Sequence, residues 1–390
     1  MILHCLNNFL PNHVDGIEVY VLILCKLDVA SNYVLITGKE NLRYEIEGVK
    51  VFVIVEDNEF LKNVSKIISS INIDTIHYHL FEKGKLFEEL TLIEFKKKNL
   101  KLVFTFHLVQ YYCSTLRFKQ NNLKNCTVVA NADSCAKCYF ETFYKPKYPK
   151  FLRNYFILNQ FQLFVKVKNH FESSIQEVKS TLHSFEIIGN LFDELITINP
   201  AFYEKLNTHS HLKNKLKLIS PDFAEIKKKE IQLNTIKLIF LGRIETSKGI
   251  DNLIDFAKKM NNENIEIDLY GQIYDQKYSI ENFNSYSKSS KTKLNYKGAL
   301  APIEVLEVLK NYDYLIHPSQ IAEMTPLVIK ESFSVGLPVI GNDIFGINTY
   351  VINGINGWLL DFNNIKESVD FFNDLLSGKK KLGTHYAADE

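Results

Sequence analysis

Twice along this chain, short runs suited to β-strands alternate with longer runs suited to helices, and this alternation restricts the fold more than any other feature. In the first series "MILHCL" precedes the helical run "IEVYVLILCKLDVA", then come "NYVLITG", "VKVFVIV", "DTIHYHL" and "KLVFTFH". Each strand-like run is rich in β-branched or aromatic residues and ends in a polar or glycine-containing loop. "EELTLIEFKKKNL" reads as one of the intervening helices. A second series begins after residue 225, with the strand "KLIFLG", the helix "GIDNLIDFAKKM", the strands "IEIDLYG" and "KLNYKG", the helix "APIEVLEVLKNY" and the strand "DYLIHPS". Such alternation predicts parallel sheets covered by helices on both faces. The 390 residues exceed what one core usually holds. The expected fold class is therefore α/β, with two doubly wound, Rossmann-like domains at 1–225 and 226–375 and a tail at 376–390.

Composition narrows the functional classes. Hydrophobic residues make up 46% and charged residues 23%, as in ordinary globular proteins. A net charge of +1 gives no global field to attract nucleic acid, so none is expected as a partner. No apolar run reaches the ~18 residues of a membrane span. The start, "MILHCLNNFLPNHVDGIEVY", lacks the basic head of a signal peptide. A cytoplasmic location is expected, in which the six cysteines are reduced thiols or metal ligands.

In doubly wound sheets, ligands sit beyond the carboxyl ends of the strands, and a cleft between two domains is the default site. Two such loops carry chemistry. In "IFLGRIETSKGIDNLIDFA", Gly242 allows a sharp turn, and Arg243 and Lys248 precede a helix. Two cations beside free helix amides form an anion site, unless they are solvated loop charges. In "AEMTPLVIKESFSVGLPVI", Glu323 and Glu331 lie eight positions apart. Pro326 suits the first helical position, which leaves the amides around Met324, Thr325 and Leu327 open to an anion. Glu331 then falls about one turn into the helix, where a carboxylate suits hydroxyl donors such as a ribose better than a phosphate. Glu323 could hold sugar hydroxyls in the same way. The alternatives are a capping carboxylate for Glu323 and a surface ion pair for Glu331.

This stretch resembles the Glu-x7-Glu motif of retaining GT-B glycosyltransferases of the family 4 type (glycosyl transferases group 1). The resemblance extends over most of the chain. "PNHVDGIEVYVLILCKL" is similar to that family's first loop and helix, "DTIHYHL" and "VFTFH" to two strands ending in His, and "GRIETSKGIDNLI" to its phosphate segment. "GLPVIGNDIFGINTYVINGINGWLL" is similar to its closing loops. The resemblance implies two domains facing across a cleft and transfer of a sugar from a UDP- or GDP-sugar to a glycan or lipid-linked acceptor, in surface polysaccharide or glycoconjugate synthesis. It implies Arg243 and Lys248 on the diphosphate, Glu331 on the ribose, and Glu323 on the transferred sugar. Amides at Met324, Thr325 and Leu327 would face the donor, His107 would contact the sugar, and Gly16 would let the first loop approach. No catalytic cofactor or metal is implied. The competing expectations are a non-catalytic GT-B protein binding a partner or glycan, and a nucleotide-sugar isomerase.

Several positions depart from the family pattern. The first loop has Asp15-Gly16 in place of a glycine pair, Leu108 follows His107 where an aspartate is common, Phe345 precedes Gly346, and Thr349 stands where glutamate is common. After "GWLLDF" only one convincing helix, "IKESVDFFNDLL", remains.

Two further features lie in the first domain, a Cys-rich insertion at about 108–150 and a basic stretch that overlaps it. Cys113, Cys126, Cys135 and Cys138 include a Cys-x-x-Cys pair, which matches one edge of a tetrahedral zinc site; free thiols packed in a loop are the alternative. From Thr115 to Arg153, eight Lys or Arg meet only Asp133 and Glu141. With the aromatics of "YFETFYKPKYPKFLRNYF" they could rest on an anionic membrane at the inner face of the cytoplasmic membrane, or form a solvated basic face.

Overall fold

A computed structural model describes residues 1–11, 16–80, 84–115, 119–120, 124–126, 131–144, 161–219 and 235–381. The chain forms two compact units, Met1–Thr115 with Thr127–Ser220, and Leu116–Cys126 with Pro221–Glu390.

The first unit is built on eight strands: β1 (Ile2–Cys5), β2 (Asn32–Gly38), β3 (Leu42–Ile46), β4 (Val49–Val55), β5 (Thr75–Tyr78), β6 (Lys101–Phe106), β7 (Glu194–Thr197) and β8 (Leu216–Leu218). Their spatial order is β8-β7-β6-β5-β1-β2-β4-β3. The pairs are parallel except β3 with β4, an antiparallel hairpin at the edge. The central strands are buried nearly throughout, as parallel sheets require. No strand signal marks β3 in the sequence. Its side chains are mostly exposed, and its turn is Glu47-Gly48, both at positive φ, rather than the Asn-Gly that usually announces such a hairpin. The 31-residue helix Phe161–Leu191 and the strands β7 and β8 after it also lack a clear signature in the sequence.

The second unit contains β9 (Ile236–Leu241), β10 (Ile265–Tyr270), β11 (Lys293–Gly298), β12 (Tyr314–His317), β13 (Val339–Asn342) and β14 (Gly357–Leu360). All pairs are parallel, in the order β11-β10-β9-β12-β13-β14. Counted within the unit this is 3-2-1-4-5-6, the doubly wound Rossmann order. Alternation along β9 divides the core between the two faces. Leu238 and Phe240 pack with the helices Ile250–Met260 and Ile365–Leu376, while Ile239 packs with Ile329 and Phe333 of the helix Leu327–Ser334. Among the described residues no helix is long and apolar enough to cross a membrane.

Candidate functional site

In the second unit the strand order reverses between β9 and β12, which places a crevice at their carboxyl ends. Both loops singled out in the sequence leave from that point. After β9 the chain passes Arg243 and a single 3-10 turn, Thr246–Lys248, before the helix Ile250–Met260. After β12 it passes Ser319 to Pro326 and enters the helix Leu327–Ser334. The two loops are joined through the backbone, because the Gln320 amide donates to the Ser247 carbonyl at 2.8 Å.

That junction brings Lys248 and Glu323 into an ion pair, Nζ to Oε1 at 2.9 Å, with each side chain only 15% exposed. His317, the last residue of β12, donates from Nε2 to the same oxygen at 3.2 Å. Burial pushes the Glu323 carboxyl up, but Lys248 and His317 outweigh it and hold the group well below the usual carboxylate range. Glu323 is therefore a charged acceptor fixed by two donors, and Lys248 is held by a carboxylate rather than left as a separate cation. An ammonium has three donors, so the pair leaves two for another anion. His317 joins the cluster with no motif to mark it; its position at a strand's carboxyl end was the available signal. Its Nδ1 is buried without a hydrogen-bond partner among the described residues.

The backbone around Glu323 is set by the loop after β13. The Glu323 amide donates to the Phe345 carbonyl at 3.2 Å. Gly346, at φ +92°, lies so close that a Cβ there would stand 1.5 Å from the Glu323 carbonyl oxygen. Only glycine fits this approach. Phe345 contributes its carbonyl and is not among the positive-φ residues, so a second glycine is not needed there.

Pro326 caps the helix Leu327–Ser334 with φ −63° and ψ 110°, so the helix begins at Leu327, one position later than expected from the sequence. An extended Pro still leaves the first turn open, and the Leu327 amide has no hydrogen-bond partner among the described residues. The Met324 side chain is buried at 2% exposure, so only its backbone can face a ligand. The Thr325 hydroxyl bonds the Tyr350 hydroxyl at 2.7 Å. Glu331 lies just over one turn into the helix and is partly buried. Burial raises its carboxyl, with partial relief from Lys330, and its carboxylate has no hydrogen bond or ion pair among the described residues. The alternative considered for Glu331, a surface ion pair, thus finds no partner among the described residues. Arg243 is more open, with Glu245 at 3.2 Å and its guanidinium over the Tyr274 ring at 5.5 Å.

In the first unit, His107 follows β6 directly and is buried at 8% exposure. Gly16 opens the helix Gly16–Lys26, and Asp15 lies outside the described residues. Cys113, Cys126, Cys135 and Cys138 are each partly exposed and form no disulfide. Cys135 and Cys138 stand one turn apart on the helix Ala132–Phe143. Among the described residues, the group of three or more ligand-type side chains with atoms within 4.8 Å is His4, His77 and His79, not the cysteines. Much of the basic stretch from 115 to 153 lies outside the described residues.

Two Rossmann-like units, the second with its polar cluster at the switch point, define the GT-B glycosyltransferase fold. Residues 222–386, spanning the whole second sheet, match the family "Glycosyl transferases group 1". The chain is similar to HepE of Anabaena, solved in complexes with UDP and with UDP-glucose, at 13% identity and a TM-score of 0.61, covering 98% of this chain and 91% of that one. It is also similar to the sucrose-phosphate synthase of Thermosynechococcus elongatus, with 13% identity, a TM-score of 0.60 and the same coverage. In sequence it resembles an uncharacterized glycosyltransferase of Methanocaldococcus jannaschii, 28% identical over 148 residues. That match takes in 37% of this chain and 40% of the relative's length.

Proposed function

We propose that this protein is a glycosyltransferase that moves a sugar from a nucleoside diphosphate donor to a glycan or lipid-linked acceptor, retaining the anomeric configuration and needing no divalent ion. The observation that carries this reading is Glu331, a partly buried carboxylate without a partner among the described residues, one helical turn beyond the open amide of Leu327. Such a group is unfavourable until donors reach it, and vicinal ribose hydroxyls supply two. The amide end of the same helix and the remaining donors of Lys248 suit the diphosphate, with Arg243 at the same carboxyl end of the sheet. A solved protein of this fold, HepE, is in complex with UDP and with UDP-glucose, which supports a uridine donor.

In the reaction, the bond from the anomeric carbon to the β-phosphate oxygen breaks and a bond from that carbon to the acceptor oxygen forms. The acceptor proton passes to the departing phosphate. Negative charge grows on the leaving diphosphate, and Arg243 and Lys248 stabilise it electrostatically. Glu323, held charged by Lys248 and His317, accepts from hydroxyls of the sugar and fixes its orientation.

The test is release of nucleoside diphosphate from a panel of nucleotide sugars, with acceptor mixtures and with EDTA present. Release that persists in EDTA is expected. Conversion of the nucleotide sugar without release would favour an isomerase, and binding without turnover would favour a non-catalytic protein.

A further inference from the structure

Beneath His107 lies a line of buried side chains that none of this chemistry uses. β1, β5 and β6 are neighbours in the first sheet, and their carboxyl ends carry His4, His77 with His79, and His107. The four rings are 1%, 6%, 0% and 8% exposed. His107 Nε2 meets His79 Nδ1 at 2.9 Å, His79 Nε2 meets His4 Nδ1 at 2.9 Å, and His4 Nε2 meets Asn32 Oδ1 at 2.9 Å. His77 stands beside this line and bonds the Thr105 hydroxyl at 2.7 Å.

We propose that Asn32 sets the tautomer of His107 through His79 and His4, so that Nε2 carries the proton and Nδ1 is left as the hydrogen-bond acceptor. The direction is fixed at the far end. The Asn32 Nδ2 donates to the Asp28 carbonyl at 2.7 Å, and a carbonyl can only accept, so the amide cannot be turned over. Oδ1 therefore faces His4, and His4 Nε2 must donate. His4 Nδ1 is then a lone pair, which requires a proton on His79 Nε2. His79 Nδ1 is a lone pair in turn, which requires a proton on His107 Nε2. The opposite series would set the His4 Nε2 lone pair against the Asn32 oxygen in a dry interior, leaving both unsatisfied. Burial keeps the rings neutral, with His4 lowered to about 4 and His107 to about 3, so each carries one N–H. Tyr20 packs edge-on against His107, with ring centroids 4.9 Å apart, and holds the ring's orientation.

Asn32, His4 and His79 are thus positioning residues, and His107 presents Nδ1 as a group that accepts from a hydroxyl and does not donate. The identity of that hydroxyl rests on the proposed sugar transfer; the tautomer does not. Both ring nitrogens of His4 and of His79 are engaged in this line, so a metal held by His4, His77 and His79 would have to break at least one of its hydrogen bonds.

The experiment is long-range proton–nitrogen NMR on protein labelled with nitrogen-15 in its histidine rings, with the His107 signals assigned by loss in His107→Gln. For the wild-type chain, a pyrrole-type signal at Nε2 and a pyridine-type signal at Nδ1 are expected. In Asn32→Leu the anchor is removed, and His107 should split or average between tautomers. A proton on Nδ1 in the wild-type chain, an unchanged single tautomer in folded Asn32→Leu, or a stoichiometric metal on these rings would overturn the proposal. The wild-type measurement decides even if a variant fails to fold. None of these readouts requires turnover, so failure of the sugar-transfer reading would be seen separately.

Discussion

Removing the Glu331 carboxylate separates a binding role from a structural one. A hydrogen bond to a charged group is worth ~1.5–3 kcal/mol, so Glu331→Ala should weaken binding of the nucleotide donor by about 10–100-fold. The free protein should melt at the same temperature or slightly higher, because a desolvated carboxylate without a partner among the described residues has been taken away. Thermal melting across a donor titration measures both. A large drop in the melting point without donor would mean that the side chain is structural. The sequence shows this residue well, since its spacing from Glu323 depends only on loop length and helical pitch. The Lys248–Glu323–His317 contact is not visible in the same way. It joins residues 75 positions apart, and the register of β9 beside β12 creates it.

Elements impose their own constraints, and the loop after β13 is the clearest. A methyl at position 346 would sit inside the Glu323 carbonyl and would also need a backbone conformation that alanine avoids. Gly346→Ala should therefore destabilise by at least about 1–3 kcal/mol, read as a lower denaturation midpoint. It should also weaken donor binding, because Glu323 must move. An unchanged midpoint would contradict the approach of these two loops. At this scale, element type was readable where apolar pattern and turn residues agreed, as in β9 through β12. It was not readable for β3, which is exposed and turns on Glu47-Gly48. It also failed for the long helix Phe161–Leu191, where charged, aromatic and apolar residues follow no single stripe.

Over the whole molecule, burial of neutral histidines is concentrated in the first unit and should govern its response to acid. Unfolded histidine titrates near ~6.5, whereas burial lowers His4, His77, His79 and His107 below that value. Below pH ~6.5 the unfolded chain then binds more protons than the folded one, so stability falls as pH falls toward the folded values. Going from pH 7.5 to pH 5 should cost on the order of 2 kcal/mol per histidine that stays neutral. Glu323 contributes nothing in that window, because its loss begins only below the ordinary carboxylate value of 4.5. The single tryptophan, Trp358, lies in β14 of the second unit. Denaturation followed by circular dichroism should therefore shift more with pH than denaturation followed by Trp358 fluorescence, and equal shifts would contradict this assignment. Local pattern and spacing encode two α/β units, the loops that carry Arg243, Lys248 and Glu323, and the helix that carries Glu331. The clamp of Lys248 and His317 on Glu323, and the line of His4, His79 and His107 ending at Asn32, arise only once the sheets are assembled. Both depend on which strands lie side by side, and strand order is set by packing across the whole sheet rather than by any short stretch of residues.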